Sequence, residues 1–145
     1  MMPSIEAHGD EAIKRAASAM MEVTPTDFDG FRAGMARRST LLREWMLFLE
    51  KYPLVLTPTS WRKPLPLGAD QQGAEGMRKI LEAHSPLFVP PLLGLPGLSL
   101  PTGIADGLPM GVHLIGGRYE EERLFVAGEV IEARCGRLTP IDPRD

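Results

Sequence analysis

Cysteine is almost absent from this 145-residue sequence, in which Cys135 is the only one. A single cysteine can form neither an internal disulfide bond nor a thiolate metal cluster. Histidine is nearly as scarce, and His8, His84 and His113 show neither metal-ligand spacing nor an H-E-x-x-H pattern. We therefore expect no metal and no cofactor, and a reducing, cytoplasmic setting.

The sequence also lacks a basic patch and a membrane segment. The net charge is −3, and the 16 Lys and Arg residues are scattered, which excludes an electrostatic footprint for nucleic acid or an anionic membrane. Glu6 and Asp10 fall where a signal peptide would have its apolar core. Residues 83–105 contain no Asp, Glu, Lys or Arg, but five prolines exclude a continuous helix there. We expect that run to be buried, irregular and extended.

Periodicity and turn residues predict an α/β fold with short strands between helices. The predicted helices span about 10–22, 28–51, 71–83 and 120–134, and the predicted strands about 54–57, 98–100 and 110–115. Asp106 and Gly107 supply the turn between the last two strands. The expected helix caps are Asp10, then Thr26 or Asp27, then Asp70.

Apolar spacing also predicts which helix faces are buried. The longest helix has one apolar stripe, formed by Phe28, Phe31, Met35, Leu42, Trp45, Leu49 and Tyr52. Arg38 lies off this stripe and is expected to be solvated. The last helix is expected to bury Leu124, Ile131 and Cys135.

Ser99 lies in G-L-P-G-L-S-L-P-T-G, residues 94–103, which contains half of the G-x-S-x-G elbow of nucleophilic serines. Pro101 stands where the elbow needs its second glycine, so we interpret Ser99 as a strand residue whose hydroxyl bonds locally to backbone. His113 alternates with apolar strand residues and is interpreted as a structural histidine whose ring nitrogens are hydrogen-bonded. His84 closes a helix, where bonding to free carbonyls is favoured over ligand binding.

Four segments in order resemble the C-terminal part of amidase signature enzymes. From Arg38 the chain reads R-x-x-L-x-x-E-W-x-x-F-L-x-x-Y-P-L-V-L-T-P-T-S, G-A-D-Q-Q-G, L-L-G-L-P-G-L-S-L-P-T-G and D-G-L-P-M-G-V-H-L-I-G, followed by the tail G-R-L-T-P-I-D-P-R. The resemblance spans roughly residues 10–144 and is strongest to bacterial amidases of the kind that act on indoleacetamide-like substrates. It implies that residues 1–145 are the C-terminal portion of an amidase signature domain, with strands of a mixed sheet flanked by helices.

The resemblance also implies which chemistry this chain lacks. The family hydrolyses carboxamides with a serine nucleophile, a second serine in a cis peptide and a lysine, all upstream of the segment seen here. No two of the six serines are adjacent, so no catalytic residue is assigned. In the tRNA-dependent amidotransferase relatives an aspartate binds the substrate's amino group, and His84 stands at that place here. His84 and Phe88 are the residues we assign to a pocket wall.

Three functional hypotheses remain open at this stage. The first is the C-terminal portion of an amidase, present as a fragment, a split-gene product or a truncated reading frame, which is inactive alone and binds a small amide only when complete. The second is a non-catalytic module that self-associates or pairs with a separate N-terminal amidase half through unpaired sheet edges. The third is an independent hydrolase with a new site built from Ser99 and a histidine.

Overall fold

The computed structural model describes residues 2–136, in which helices flank a small sheet. In chain order the elements are α1 (Met2–His8), α2 (Glu11–Val23), α3 (Phe28–Lys51), β1 (Leu54–Pro58), a 3-10 turn (Ala69–Gln71), α4 (Gly73–Ala83), a second 3-10 turn (Ser85–Phe88), α5 (Val89–Leu93), β2 (Gly97–Ala105), β3 (Leu108–Gly116) and α6 (Glu121–Cys135). The α/β class is therefore confirmed. The tail segment of the resemblance lies outside the described residues from Arg137 to Arg144.

Two of the three predicted helix caps are present. The Asp10 side chain accepts a hydrogen bond from the Ile13 amide at 2.8 Å, and the Asp27 side chain accepts one from the Gly30 amide at 2.7 Å. The third prediction is wrong. Asp70 lies within a 3-10 turn, and α4 begins only at Gly73, without a side-chain cap.

The three described strands form an antiparallel sheet in the order β1-β3-β2. The hairpin between β2 and β3 turns on Asp106 and Gly107, whose φ angles are 52° and 75°. Two consecutive positive φ values define the type I′ turn that suits a two-residue hairpin loop. The predicted turn is confirmed, and both strands are longer than predicted because the pairing continues to it past a register shift between Pro101 and Gly103.

Apolar side chains cover both faces of the sheet. On one face, Ile115 packs with Leu49 of α3 and with Leu93 and Leu95 near α5. On the other face, Leu114 packs with Leu100 and with Leu124 of α6. The sheet is therefore the middle layer between α3 with α5 on one side and α6 on the other.

The first part of the proline-rich run is helical rather than extended, which corrects the expectation for residues 85–93, whereas residues 97–105 are extended in β2. Residues 85–93 form a 3-10 turn followed by α5, and prolines lie within the first turn of each. A proline is tolerated in a first helical turn, because the amide it lacks would have no intrahelical partner there. Gly94, at φ 69°, then ends α5 in the left-handed region.

Three burial predictions are wrong. The stripe of α3 is covered only at Leu42, Trp45 and Leu49, which pack in the cluster around Ile115. At its start Phe28 is 78% exposed and Phe31 and Met35 are also exposed, and at its end Tyr52 is 48% exposed. Cys135 is exposed at the last residue of α6. Arg38 is half-buried, because its guanidinium donates to the Leu92 carbonyl.

None of the described helices combines the length and the apolar character that a membrane span requires.

Candidate functional site

A cavity of about 550 Å³ opens where the sheet meets the end of α4. One wall is the loop after β1, with Thr59, Ser60 and Arg62, and another is His84 at the end of α4. The floor comes from β2 and β3, including Ser99. The cavity thus draws on three separate parts of the chain, and the packing of the sheet brings them together.

The loop after β1 is held in place by hydrogen bonds to the elements on either side. The Trp61 amide donates to the Ala83 carbonyl at 2.9 Å, and its indole Nε1 donates to the Ser85 hydroxyl at 2.9 Å. On the other side, the Lys63 ammonium pairs with the Asp106 carboxylate in the hairpin turn. These contacts fix the cavity wall although the loop contains two prolines and no regular structure.

His84 bonds as the sequence predicted and also lines the cavity. Its Nδ1 lies 3.0 Å from the Ile80 carbonyl, so Nδ1 donates to a carbonyl of the last turn of α4 that also accepts the His84 backbone amide. This bond fixes the ring and leaves Nε2 as its remaining polar atom. Phe88, one helical turn further on, is 43% exposed and is absent from the residues that line this cavity.

Ser99 and His113 lie directly opposite each other on β2 and β3. Ser99 Oγ lies 3.0 Å from His113 Nδ1, which is a hydrogen bond between side chains. The expectation that the Ser99 hydroxyl bonds to backbone is therefore wrong. The reason is register, since the hairpin pairs these two residues and points both side chains to the same face.

His113 lies on β3, where the sequence placed a strand, but the expectation that its ring is fully hydrogen-bonded is wrong, because only one of its two ring nitrogens has a partner in the described part of the chain. His113 is 6% exposed, and its Nε2 has no hydrogen-bond partner among residues 2–136. Burial lowers the pKa of His113 below its usual 6.5, because the buried imidazolium would lose its hydration. The ring is also tightly enclosed, since a Cβ added to Gly97 would lie 2.8 Å from His113 Cε1 and 3.1 Å from Pro90 Cγ.

The cavity offers hydrogen-bonding groups and apolar walls, with little charge. Its described lining supplies the hydroxyls of Thr59, Ser60 and Ser99, the His84 imidazole and the Arg62 guanidinium, beside leucine, proline and methionine side chains. Such a lining can orient a small polar group within an apolar ligand. Catalysis of acyl transfer would need more, namely an activated nucleophile with an oriented base and an oxyanion hole.

Sequence reasoning missed Thr59, Ser60 and Arg62 as cavity residues. The signal that could have found them is the T-P-T-S run directly after a buried strand, because polar residues at strand ends often line sites. Within residues 2–136 no three His, Cys, Asp or Glu side chains lie close enough together to hold a metal ion.

Residues 6–125 match the model of the amidase family. The chain belongs to this family. Among curated amidase relatives, an indoleacetamide hydrolase of Bradyrhizobium japonicum is 33% identical over 89% of this chain, and a glutamyl-tRNA(Gln) amidotransferase subunit of Lactococcus lactis subsp. cremoris is 34% identical over 88%.

Solved amidase structures share the fold. A crystal structure of an amidase matches 92% of this chain with a TM-score of 0.64 at 24% identity. The glutamyl-tRNA(Gln) amidotransferase subunit of Thermotoga maritima matches 66% of the chain with a TM-score of 0.54 at 28% identity.

The chain spans less than a third of its amidase relatives. It covers 31% of the Bradyrhizobium hydrolase, 26% of the Lactococcus protein and 31% of the solved amidase. The chain therefore corresponds to only a part of an amidase sequence.

Proposed function

We propose that this chain is the C-terminal portion of an amidase that hydrolyses a carboxamide C–N bond, and that the reactive serine and lysine lie outside residues 1–145. The supporting observation is the contrast between the large share of this chain that matches the family and the small share of each relative that the chain covers. The family model matches 120 of 145 residues, yet the chain spans only 26–31% of the curated relatives. A cytoplasmic location fits the single cysteine.

In this proposal the cavity is one wall of the substrate pocket. The His84 ring, fixed by the Ile80 carbonyl, and the Ser99 hydroxyl, paired with His113, are the polar groups that orient the substrate. Phe88, which is 43% exposed and lies outside the cavity lining, is assigned as a further contact for the apolar body of an aryl or indolyl amide. An aromatic amide is the substrate class we favour, because the polar groups are few and the surroundings are apolar.

Complementation tests the proposal. The Bradyrhizobium indoleacetamide hydrolase is truncated to remove the segment that matches this chain, and the 145-residue chain is then added. We expect neither piece to release indoleacetate alone and the mixture to do so, because only the mixture holds both the reactive groups and the pocket wall. The relative's own excised segment is the positive control. Rescue by that segment and none by this chain would refute the proposal.

The Ser99–His113 hydrogen bond favours a second candidate, a hydrolase with its own nucleophile. A serine bonded to a neutral imidazole is the first part of such a site. Against it, the described residues place no third group on His113 Nε2 to orient the base. A serine-reactive phosphonate separates the two candidates, since stoichiometric labelling of Ser99 supports only the second.

Self-association without catalysis is the remaining alternative. The exposed face of α3 at Phe28, Phe31 and Met35 favours it, because a contiguous apolar surface tends to bind another protein. Sizing chromatography over a range of concentrations tests it. A monomer at all concentrations would argue against this alternative and leave the amidase proposal intact.

A further inference from the structure

We propose that His113 is a positioning residue that holds the Ser99 hydroxyl as a hydrogen-bond donor towards the cavity, where it selects amides that carry an acceptor atom in their apolar body. This role rests on the proposed function and narrows its substrate class, from aromatic amides in general to those with a ring nitrogen or an oxygen substituent. The deciding feature is which of the two ring nitrogens of His113 carries the proton.

The surroundings of His113 determine its tautomer. Nδ1 lies 3.0 Å from Ser99 Oγ, whereas the buried Nε2 has no hydrogen-bond partner among residues 2–136. A proton on Nε2 would leave a buried N–H group unpaired, whereas a proton on Nδ1 leaves only a lone pair unpaired. Among buried backbone groups, unpaired N–H groups are rarer than unpaired carbonyls, so the second loss is the smaller one. The proton therefore belongs on Nδ1.

Gly97 supports the same tautomer. A Cβ at this glycine would lie 2.9 Å from His113 Nε2, so the α-hydrogen in that place points at the same edge of the ring. A C–H group is a weak donor that suits a lone pair, whereas an N–H group would face another hydrogen there. Burial also lowers the pKa of His113, which disfavours a ring with both nitrogens protonated.

The tautomer fixes what Ser99 can offer to a ligand. With the proton on Nδ1, the His113 ring donates to Ser99 Oγ, and the hydroxyl proton is left free. Ser99 has no other hydrogen bond among the described residues, and the described lining of the cavity contains no aspartate or glutamate. The Ser99 proton is therefore free to bind an acceptor atom of a ligand in the cavity.

His113 acts on the ligand only through Ser99. The His113 ring is 6% exposed and enclosed beside Gly97 and Pro90, and His113 is absent from the residues that line the cavity. A serine hydroxyl without a fixed neighbour is free to rotate, and ordering it on binding costs free energy. A fixed ring N–H that bonds to Ser99 Oγ removes part of that cost before the ligand arrives.

The apolar part of the lining indicates which ligands can use this donor. Leu65, Leu100 and Met110 line the same cavity as Ser99. An aromatic ring that contains a nitrogen, or bears an ether oxygen, brings an acceptor within an apolar body and so matches both features. A plain phenyl ring would leave the Ser99 proton without a partner, which weakens binding.

The same tautomer separates this role from that of a nucleophile. A general base must take the proton of the serine, and an Nδ1 that already carries a proton cannot do so. Ser99 is thus a binding group that keeps its proton throughout the reaction.

Nitrogen NMR of the 145-residue chain tests the tautomer. The chain is labelled with 15N-histidine, and correlation of the ring nitrogens with the ring C–H protons shows which nitrogen carries the proton. We expect it on Nδ1 of His113, as in His84, whose Nδ1 donates to the Ile80 carbonyl. Loss of the signal in His113→Phe assigns it. A proton on Nε2 of His113 would overturn the inference, because Ser99 would then donate to the ring instead of to a ligand.

Matched substrates test the selection. The three pyridylacetamides each differ from phenylacetamide by one ring nitrogen, which is an acceptor. They are compared in the truncated Bradyrhizobium hydrolase completed by this chain. We expect the isomer whose nitrogen reaches Ser99 to have a KM about five- to tenfold lower than phenylacetamide, with kcat values within about twofold. Ser99→Ala removes the donor and His113→Phe removes its support, so each should abolish the preference.

Two further variants distinguish positioning from a merely structural role. The side-chain amide of His113→Asn can donate near the place of Nδ1 and should restore part of the preference. Ser18→Ala, exposed on α2 and absent from the cavity lining, is the matched control for Ser99→Ala and should keep the preference. Circular dichroism checks the folding of each variant. If His113→Phe does not fold, Ser99→Ala on its exposed side chain decides the outcome.

The outcomes separate the inference from the function. Rescued hydrolysis with equal KM values for phenylacetamide and all three pyridylacetamides would overturn the inference and leave the proposed function standing. A preference that survives Ser99→Ala would equally overturn it. If the relative's own segment rescues hydrolysis and this chain does not, the proposed function fails and the substrate role fails with it, whereas the NMR result is independent of both. If the truncated hydrolase does not fold, the same KM values are measured in a full-length chimaera containing residues 1–145.

Discussion

Substitution of Gly97 by alanine tests the enclosure of His113 directly. The added Cβ would lie 2.8 Å and 2.9 Å from two atoms of the His113 ring and 3.1 Å from Pro90 Cγ. Both rings are rigid, so the imidazole must move. Overpacking of this kind costs about 1–3 kcal/mol, and loss of the Ser99–His113 hydrogen bond costs about 1 kcal/mol more. We therefore expect Gly97→Ala to lower the free energy of unfolding by about 2–4 kcal/mol.

The matched control is the same substitution where space is available. Gly34 lies inside α3, and a Cβ there would meet no atom within 4 Å. Gly34→Ala should stabilise the protein by about 0.5–1 kcal/mol, because alanine loses less backbone entropy in a helix. Urea denaturation of the purified chain measures both values. Equal effects of the two substitutions, or an unchanged His113 imidazole signal in Gly97→Ala by NMR, would refute the enclosure.

Three further predictions concern the core, the titration of His113 and a helix cap. Ile115→Ala should cost about 2–5 kcal/mol in urea denaturation, because Ile115 is 1% exposed at the centre of its cluster; a cost below about 1 kcal/mol would contradict that packing. Because burial lowers the pKa of folded His113, the free energy of unfolding should fall as the pH drops below about 6.5 towards that lower pKa. His113→Phe should remove this part of the pH dependence. If the free energy of unfolding of the variant varies with pH as it does in the original chain, His113 is not the group responsible. Asp27→Ala should cost about 1 kcal/mol and reduce helicity by circular dichroism, with Asp29→Ala, which has no cap bond, as the milder control.

Local signals in the sequence were sufficient for much of the fold. The caps at Asp10 and Asp27 and the turn at Asp106 and Gly107 depend on a few adjacent residues, and the structure contains all of them. The prediction for residues 85–93 was wrong because it treated every proline as a helix breaker. Prolines break the interior of a helix but are tolerated in its first turn, and here two short helical elements follow each other with prolines in the first turn of each.

The candidate site was harder to predict because it depends on long-range register. Ser99 and His113 meet only because the hairpin aligns them, and the shift between Pro101 and Gly103 is not visible in the composition. The prediction that the whole apolar stripe of α3 is buried was wrong for a related reason. Periodicity shows that Phe28 and Leu49 share an apolar face, but it does not show that the described sheet covers only the second.

The most direct test of the proposed function is amide hydrolysis by the purified 145-residue chain without any partner. Indoleacetamide and aryl amides are incubated with the chain, and release of the free acid is followed by chromatography. We expect no turnover above buffer, because the proposal assigns the reactive serine and lysine to sequence outside residues 1–145. Turnover that disappears in Ser99→Ala would contradict this and establish a self-contained hydrolase.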